Sequence, residues 1–147
     1  MHLTDIQHIA IKTKDLGATN RFSTEILGMK LAKRPNFDFP GSWLQMGNTM
    51  IHTLAGYAGE DRDGNHPTGS AAVDHLAMGA VGFDAFRQKF IDNDLKWRQF
   101  AIPSFGLWQL FVKDPSGITI ELNFTAASEP AGSKGPGSGQ QYDPRAF

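Results

Sequence analysis

Four residues combine a chemically useful type with a repeating position: His8, His52, His75 and Glu121. Imidazole nitrogen and carboxylate oxygen suit a borderline or hard divalent ion, and both groups can also accept a proton. Laying Gln7-His8-Ile9-Ala10 over Asp74-His75-Leu76-Ala77 gives an offset of 67 residues. Laying Met50-Ile51-His52-Thr53-Leu54 over Thr119-Ile120-Glu121-Leu122-Asn123 gives 69. A lone strand histidine is usually a satisfied core residue, and a mid-strand glutamate usually sits on a solvated edge. Three of the five histidines and one glutamate at repeat-equivalent places point instead to a metal site. The chain has no cysteine, so thiolate ligands, disulfides and a cysteine nucleophile are excluded. His2 is then a bystander and His66 an exposed loop residue.

These four residues need a scaffold that places them on strands. Ile6 to Ile11 alternates as a short strand, Asp15 can cap a helix containing Leu16, Phe22, Ile26 and Leu27, and Gly28 can end that helix in the left-handed region. Strands follow at Met29 to Lys33, Trp43 to Met46 and Thr49 to Leu54, the last two joined at Gly47-Asn48. A Gly-, Asp-, Asn- and Pro-rich stretch from Gly56 to Ala72 reads as a linker. Its Asp61, Asp63 and Asn65 do not make a calcium loop, because Ala72 stands where the bidentate glutamate belongs. The order then recurs: a strand at Val73 to Met78, a helix from Phe83 to Asn93 with Phe83, Phe86, Phe90 and Ile91 at helical spacing, and strands at Lys96 to Ile102, Leu107 to Lys113 and Ile118 to Phe124. Asp114-Pro115-Ser116-Gly117 is the turn between the last two. Two modules, about 3–55 and 73–124, are expected within a domain covering 1–124, followed by a Gly/Pro/Ser-rich tail over 125–147. The composition of that tail is that of a flexible segment, and its end, Tyr142 to Phe147, is expected to anchor on the body or on a neighbouring chain.

The chain resembles the vicinal oxygen chelate superfamily, which includes glyoxalase I, methylmalonyl-CoA epimerase, extradiol dioxygenases and the fosfomycin and bleomycin resistance proteins. The resemblance runs from about Leu3 to Phe124 and rests on the paired modules, the His8 opening, the Leu27-Gly28-Met29 helix exit, the Asp74-His75-Leu76-Ala77 strand and the Asp-Pro-Ser-Gly turn leading to Glu121. It implies an α+β fold in which two βαβββ modules form a mixed-sheet, half-open barrel around a metal cleft. It also implies one divalent ion (nickel, zinc, manganese, cobalt or iron(II)) held by His8, His52, His75 and Glu121. Such an ion holds two neighbouring substrate oxygens and stabilises the charge formed when the adjacent carbon loses a proton. Glu121 is the first choice of catalytic base and His52 the second.

The expected activity is that of a glyoxalase-like isomerase or lyase acting on a small molecule with vicinal oxygens. Glyoxalase I normally has a carboxylate where His52 stands; Lys12 occupies the place of a glutathione-contacting arginine, and Gly56 that of an asparagine contact, which argues against glutathione. Alternatives are an extradiol-type dioxygenase with iron(II), opposed by Phe111 where a tyrosine is usual, and a metal-free drug-sequestering resistance protein, opposed by the retained donors. If the donor-bearing face lines a pocket, Ala10, Met50, Leu54, Ala77, Gln109 and Phe111 share it by alternation. Met50, Gln109, Phe111, Trp108 and Lys12 are the expected substrate contacts, with Trp43 and Trp97 joining Trp108 at the rim. A net charge of -1 without a basic run opposes nucleic acid as a partner. The lack of an apolar membrane-length stretch or secretory leader points to a cytoplasmic protein. A homodimer is expected.

Overall fold

The computed structural model describes residues 7–56, 63, 65 and 75–137. The linker expected over 56–72 with its His66, the N-terminal His2, and Tyr142 to Phe147 lie wholly or mostly outside the described residues. The chain divides into two compact units, Met1–Thr68 and Gly69–Phe147, each built on one four-stranded mixed sheet.

In the first unit the strands are β1 (His8–Thr13), β2 (Lys30–Ala32), β3 (Gly41–Met46) and β4 (Thr49–Ala55), in the order β1-β4-β3-β2. β1 runs parallel to β4, while β3 pairs antiparallel with β2 and β4. Helix α1 (Leu16–Arg21) begins where the Asp15 carboxylate accepts from the Ala18 amide at 2.8 Å. It continues into a π-helical segment, Phe22–Ile26, and Gly28 at φ 75° ends it. One sheet face meets the helix through Thr53, Asn20 and Ser42, which hydrogen-bond in series at 3.2 and 2.7 Å. Gly41 cannot carry a side chain, because a Cβ there would stand 2.5 Å from the Thr53 carbonyl oxygen.

The second unit repeats the plan with β5 (Leu76–Gly79), α2 (Phe83–Asp92), β6 (Trp97–Ile102), β7 (Leu107–Lys113) and β8 (Thr119–Thr125), in the order β5-β8-β7-β6. Neither sheet closes into a barrel, since each keeps two edge strands. β8 is an interior strand, so the edge position that would have solvated Glu121 does not exist; both its faces are buried from Thr119 to Leu122. Phe83, Phe90, Leu110, Val112 and Phe124 form the fully buried core under α2. Phe83, Phe86 and Phe90 face it as their spacing implies, whereas Ile91 is exposed.

Two local devices support β8. In the turn before it, Asp114 Oδ1 accepts from the amides of Ser116 and Ile118, both at 2.8 Å, and Gly117 takes φ 82°. After it, residues 126–137 fold back on α2 despite their flexible-looking composition. The Glu129 carboxylate accepts from the amides of Gly82 and Phe83, supplying the cap that the glycine at the helix start lacks. The Lys134 amide donates to Asp84, Arg87 donates to the Gly135 carbonyl, and Gly135 lies so close to the Trp108 ring that a Cβ would meet it at 2.6 Å.

Candidate functional site

The repeat places its donors at matching points. β1 pairs with β4 so that Ala10 stands beside His52, and β5 pairs with β8 so that Ala77 stands beside Glu121; His8 and His75 each lie two residues earlier, on the same face as their partner. Among the described residues the donors gather in pairs, one pair per module, and no group of three or more His, Asp or Glu side chains forms.

In the second module His75 Nε2 lies 2.6 Å from Glu121 Oε2, and the imidazole N–H donates to the carboxylate. Gln109 Nε2 donates to the other oxygen, Oε1, at 2.6 Å and also to Asn123 Oδ1 at 3.1 Å. Glu121 and Gln109 are each only 6% exposed. A buried carboxylate survives because both its oxygens are paired. Gln109 Oε1 has no partner among the described residues. Phe111 lies directly across from Glu121 and meets His75 edge-on at 5.8 Å and Phe100 at 5.6 Å, giving the carboxylate an apolar wall.

In the first module the rings of Trp43, His52 and His8 form a column. Trp43 stacks on His52 at 4.4 Å with planes 5° apart, and His52 stacks on His8 at 4.0 Å with planes 14° apart. Each such contact contributes about 0.5–1.5 kcal/mol. Burial lowers the pKa of His52 below its ordinary 6.5, and the nearby His8 charge lowers it further, so the His52 ring is neutral at pH 7.

The two pairs differ in their fit to a divalent ion. Two donors sharing an ion at about 2.1 Å stand about 3.0–3.4 Å apart, so His75 and Glu121 need to part by less than about 1 Å and release their shared proton. His8 and His52 do not fit as they lie. A metal ion sits in the plane of the imidazole that binds it, and two stacked, nearly parallel planes do not meet at one ion. Within each module the expected donors are neighbours, the second pair hydrogen-bonded and the first pair stacked.

Of the expected contacts, Gln109 and Phe111 share the face of Glu121, while Met50, Lys12 and Leu54 share that of His8 and His52. Lys12 is exposed and Met50 half-buried. Trp108 is corrected: alternation along β7 turns it to the helix side, where it meets Phe83 edge-on at 5.6 Å and Gly135. Trp97 likewise packs on Phe90. Of the three tryptophans, Trp43 alone stands on a donor face. The Trp43–His52 contact and the Gln109–Glu121 bond were not anticipated, although a two-residue turn at Gly47-Asn48 sets Trp43 opposite His52.

The sequence profile of the Glyoxalase/Bleomycin resistance protein/Dioxygenase superfamily matches residues 5–122, and the chain belongs to that superfamily. Its fold is similar to that of a glyoxalase family protein from Bacillus anthracis, with TM-score 0.66 and 22% identity over 84% of this chain and 97% of the other. It is also similar to lactoylglutathione lyase from Agrobacterium tumefaciens, with TM-score 0.63 and 16% identity over 86% and 98%. A genomically encoded fosfomycin resistance protein from Listeria monocytogenes aligns with TM-score 0.65 and 14% identity over 84% and 94%. No curated protein sequence matches the chain. No helix among the described residues is long and apolar enough to cross a membrane.

Proposed function

We propose that this chain is an enzyme of the glyoxalase-like isomerase or lyase type, moving a proton on a small substrate with two neighbouring oxygens and using one divalent ion. The observation that carries this reading is the buried Glu121, held between His75 and Gln109 in the middle of an interior strand. His75 and Glu121 would hold the ion, whose contribution is Lewis-acid stabilisation of negative charge on the substrate oxygens. Glu121, when it is not on the ion, is the proton acceptor. Gln109 holds its Oε1, and Phe111 and Phe100 keep water from the carboxylate, which strengthens its electrostatic effect. His52, neutral at pH 7, is the second acceptor. Met50, Lys12, Gln109 and Phe111 contact the substrate, and the chain works as a homodimer, for which exposed Leu31, Val81 and Phe105 leave apolar surface.

The test is elemental analysis of untagged protein, combined with solvent-deuterium exchange into hemithioacetal and acyl-CoA substrates followed by NMR. Stoichiometric nickel, zinc, cobalt or manganese with exchange lost in Glu121→Gln supports the proposal. Exchange unaffected by that change overturns it.

A second reading, an iron(II) ring-cleaving dioxygenase acting on catechols, is favoured by one observation. His75 and Glu121 stand together as an imidazole and a carboxylate, donor types suited to iron(II). Oxygen uptake with catechol after anaerobic iron loading distinguishes it from the proton-transfer reading.

A further inference from the structure

We infer that Oε1 of Gln109 is the acceptor for a hydroxyl on the substrate, and that Gln109 is the residue that selects a substrate whose oxygen still carries its hydrogen. This rests on the reading above of a small substrate with two neighbouring oxygens, and specifies what one of them donates.

Both hydrogens of the Gln109 amide are committed within the second module. Nε2 donates to Glu121 Oε1 at 2.6 Å and to Asn123 Oδ1 at 3.1 Å. Turned over, the amide would set Oε1 against the carboxylate, acceptor against acceptor, so its orientation is fixed. Oε1 is then left with no partner among the described residues, on a residue only 6% exposed. A carbonyl oxygen shut away from water without a donor is costly, and native interiors rarely leave one so. The paired neighbours supply none. Phe100 stands directly across on β6 without a polar atom in its side chain, and Asn123, directly across on β8, turns its own oxygen to Gln109. Helix α2 lies on the opposite face of the sheet, against Trp108 through Phe83, so Oε1 belongs to the face that carries Glu121. A ligand held over Glu121 is therefore the source of the missing hydrogen. Phe100 and Phe111, in edge-on contact at 5.6 Å, would make a charged donor lose its hydration for little return. A neutral hydroxyl fits: it is small, and it donates one hydrogen while its oxygen remains beside the reacting carbon. A ligand without that hydrogen leaves Oε1 unpaired and is rejected.

The probes are α-hydroxyacetophenone and α-methoxyacetophenone, which share two neighbouring oxygens and differ in the hydrogen on one of them. NMR of wild-type protein with isotope-labelled glutamine is expected to show the hydroxyl compound shifting the Gln109 Cδ signal saturably. The methoxy compound is expected to bind about 10-fold more weakly. Gln109→Lys keeps nitrogen donors for Glu121 and Asn123 and removes the acceptor, so the two affinities are expected to become equal; if that variant does not fold, the wild-type comparison decides alone. Equal affinities in the wild type, a Gln109 Cδ signal unmoved by the bound hydroxyl compound, no binding of either probe, or discrimination retained in Gln109→Lys overturns the inference. Solvent-deuterium exchange at the methylene carbon of the same probes tests the proton-transfer reading separately. Discrimination without exchange counts against that reading and leaves the inference standing, whereas exchange without discrimination does the reverse.

Discussion

Gln109 and Glu121 are diagonal neighbours on the paired strands β7 and β8, with the amide Nε2 of one 2.6 Å from the carboxylate Oε1 of the other and both residues buried. The bond orients the one buried carboxylate that shares a face with His75.

Gln109→Leu keeps the volume and removes this donor. It leaves Glu121 Oε1 unpaired in the interior, and the expected loss is about 1–3 kcal/mol of stability, measured by urea denaturation at pH 7. Metal affinity or turnover is expected to fall about 10–100-fold, as for other groups that orient a ligand. A variant with unchanged stability would mean that the carboxylate finds another donor.

His52 carries a pH dependence of defined sign. Its folded-state pKa is lowered, first by burial and then by His8, so below pH 6.5 the unfolded chain takes up a proton that the folded protein resists. The contribution is present above pH 6.5 and lost as pH falls through the lowered folded value. Denaturation midpoints between pH 8 and pH 5 are expected to drop less in His52→Gln than in the wild type. Parallel pH profiles for the two proteins would show that His52 is not the group responsible.

Asp114 has the opposite sign. Burial raises its pKa above 3.8, outweighing the Ser116, Gly117 and Ile118 amides that favour the charged form. The folded protein therefore retains a proton that the unfolded chain releases, and this contribution to stability, full below pH 3.8, declines as pH rises through the folded value. Asp114→Asn keeps an oxygen for the Ser116 and Ile118 amides and removes the buried charge. It is expected to be at least as stable as the wild type at pH 7, while Asp114→Ala loses about 1–3 kcal/mol through two unsatisfied amides. Thermal unfolding of both variants decides between these outcomes.

The tail segment has a structural role that denaturation can measure. Glu129→Ala removes the acceptor for the Gly82 and Phe83 amides and is expected to cost about 1 kcal/mol, as for loss of a helix cap. Gly135→Ala drives a methyl group into the Trp108 ring and is expected to lift the segment, seen as faster proteolytic clipping between 129 and 137. Unchanged cleavage rates would place the segment's anchorage elsewhere.

The duplicated strand-helix-three-strand order, the strand positions of His8, His52 and Glu121, and the Asp114 turn were all legible in the chain, because they depend on periodicity and on residues with strong local preferences, whereas His75, expected within a strand, stands one residue before β5. The equivalence of Ala10–His52 and Ala77–Glu121 follows from the repeat alone. Other features depended on which strands became neighbours. Glu121 is buried because β8 is interior to its sheet, Trp108 faces the helix because the core lies on that side of β7, and Trp43 covers His52 because the hairpin register sets them opposite. The anchored tail was hidden by its composition, since Gly, Pro and Ser describe the unfolded chain well and say nothing of the vacant helix start that Glu129 fills. Local preference is written residue by residue, but burial and ring contact arise between segments distant in the chain, and only the folded sheets bring those segments together.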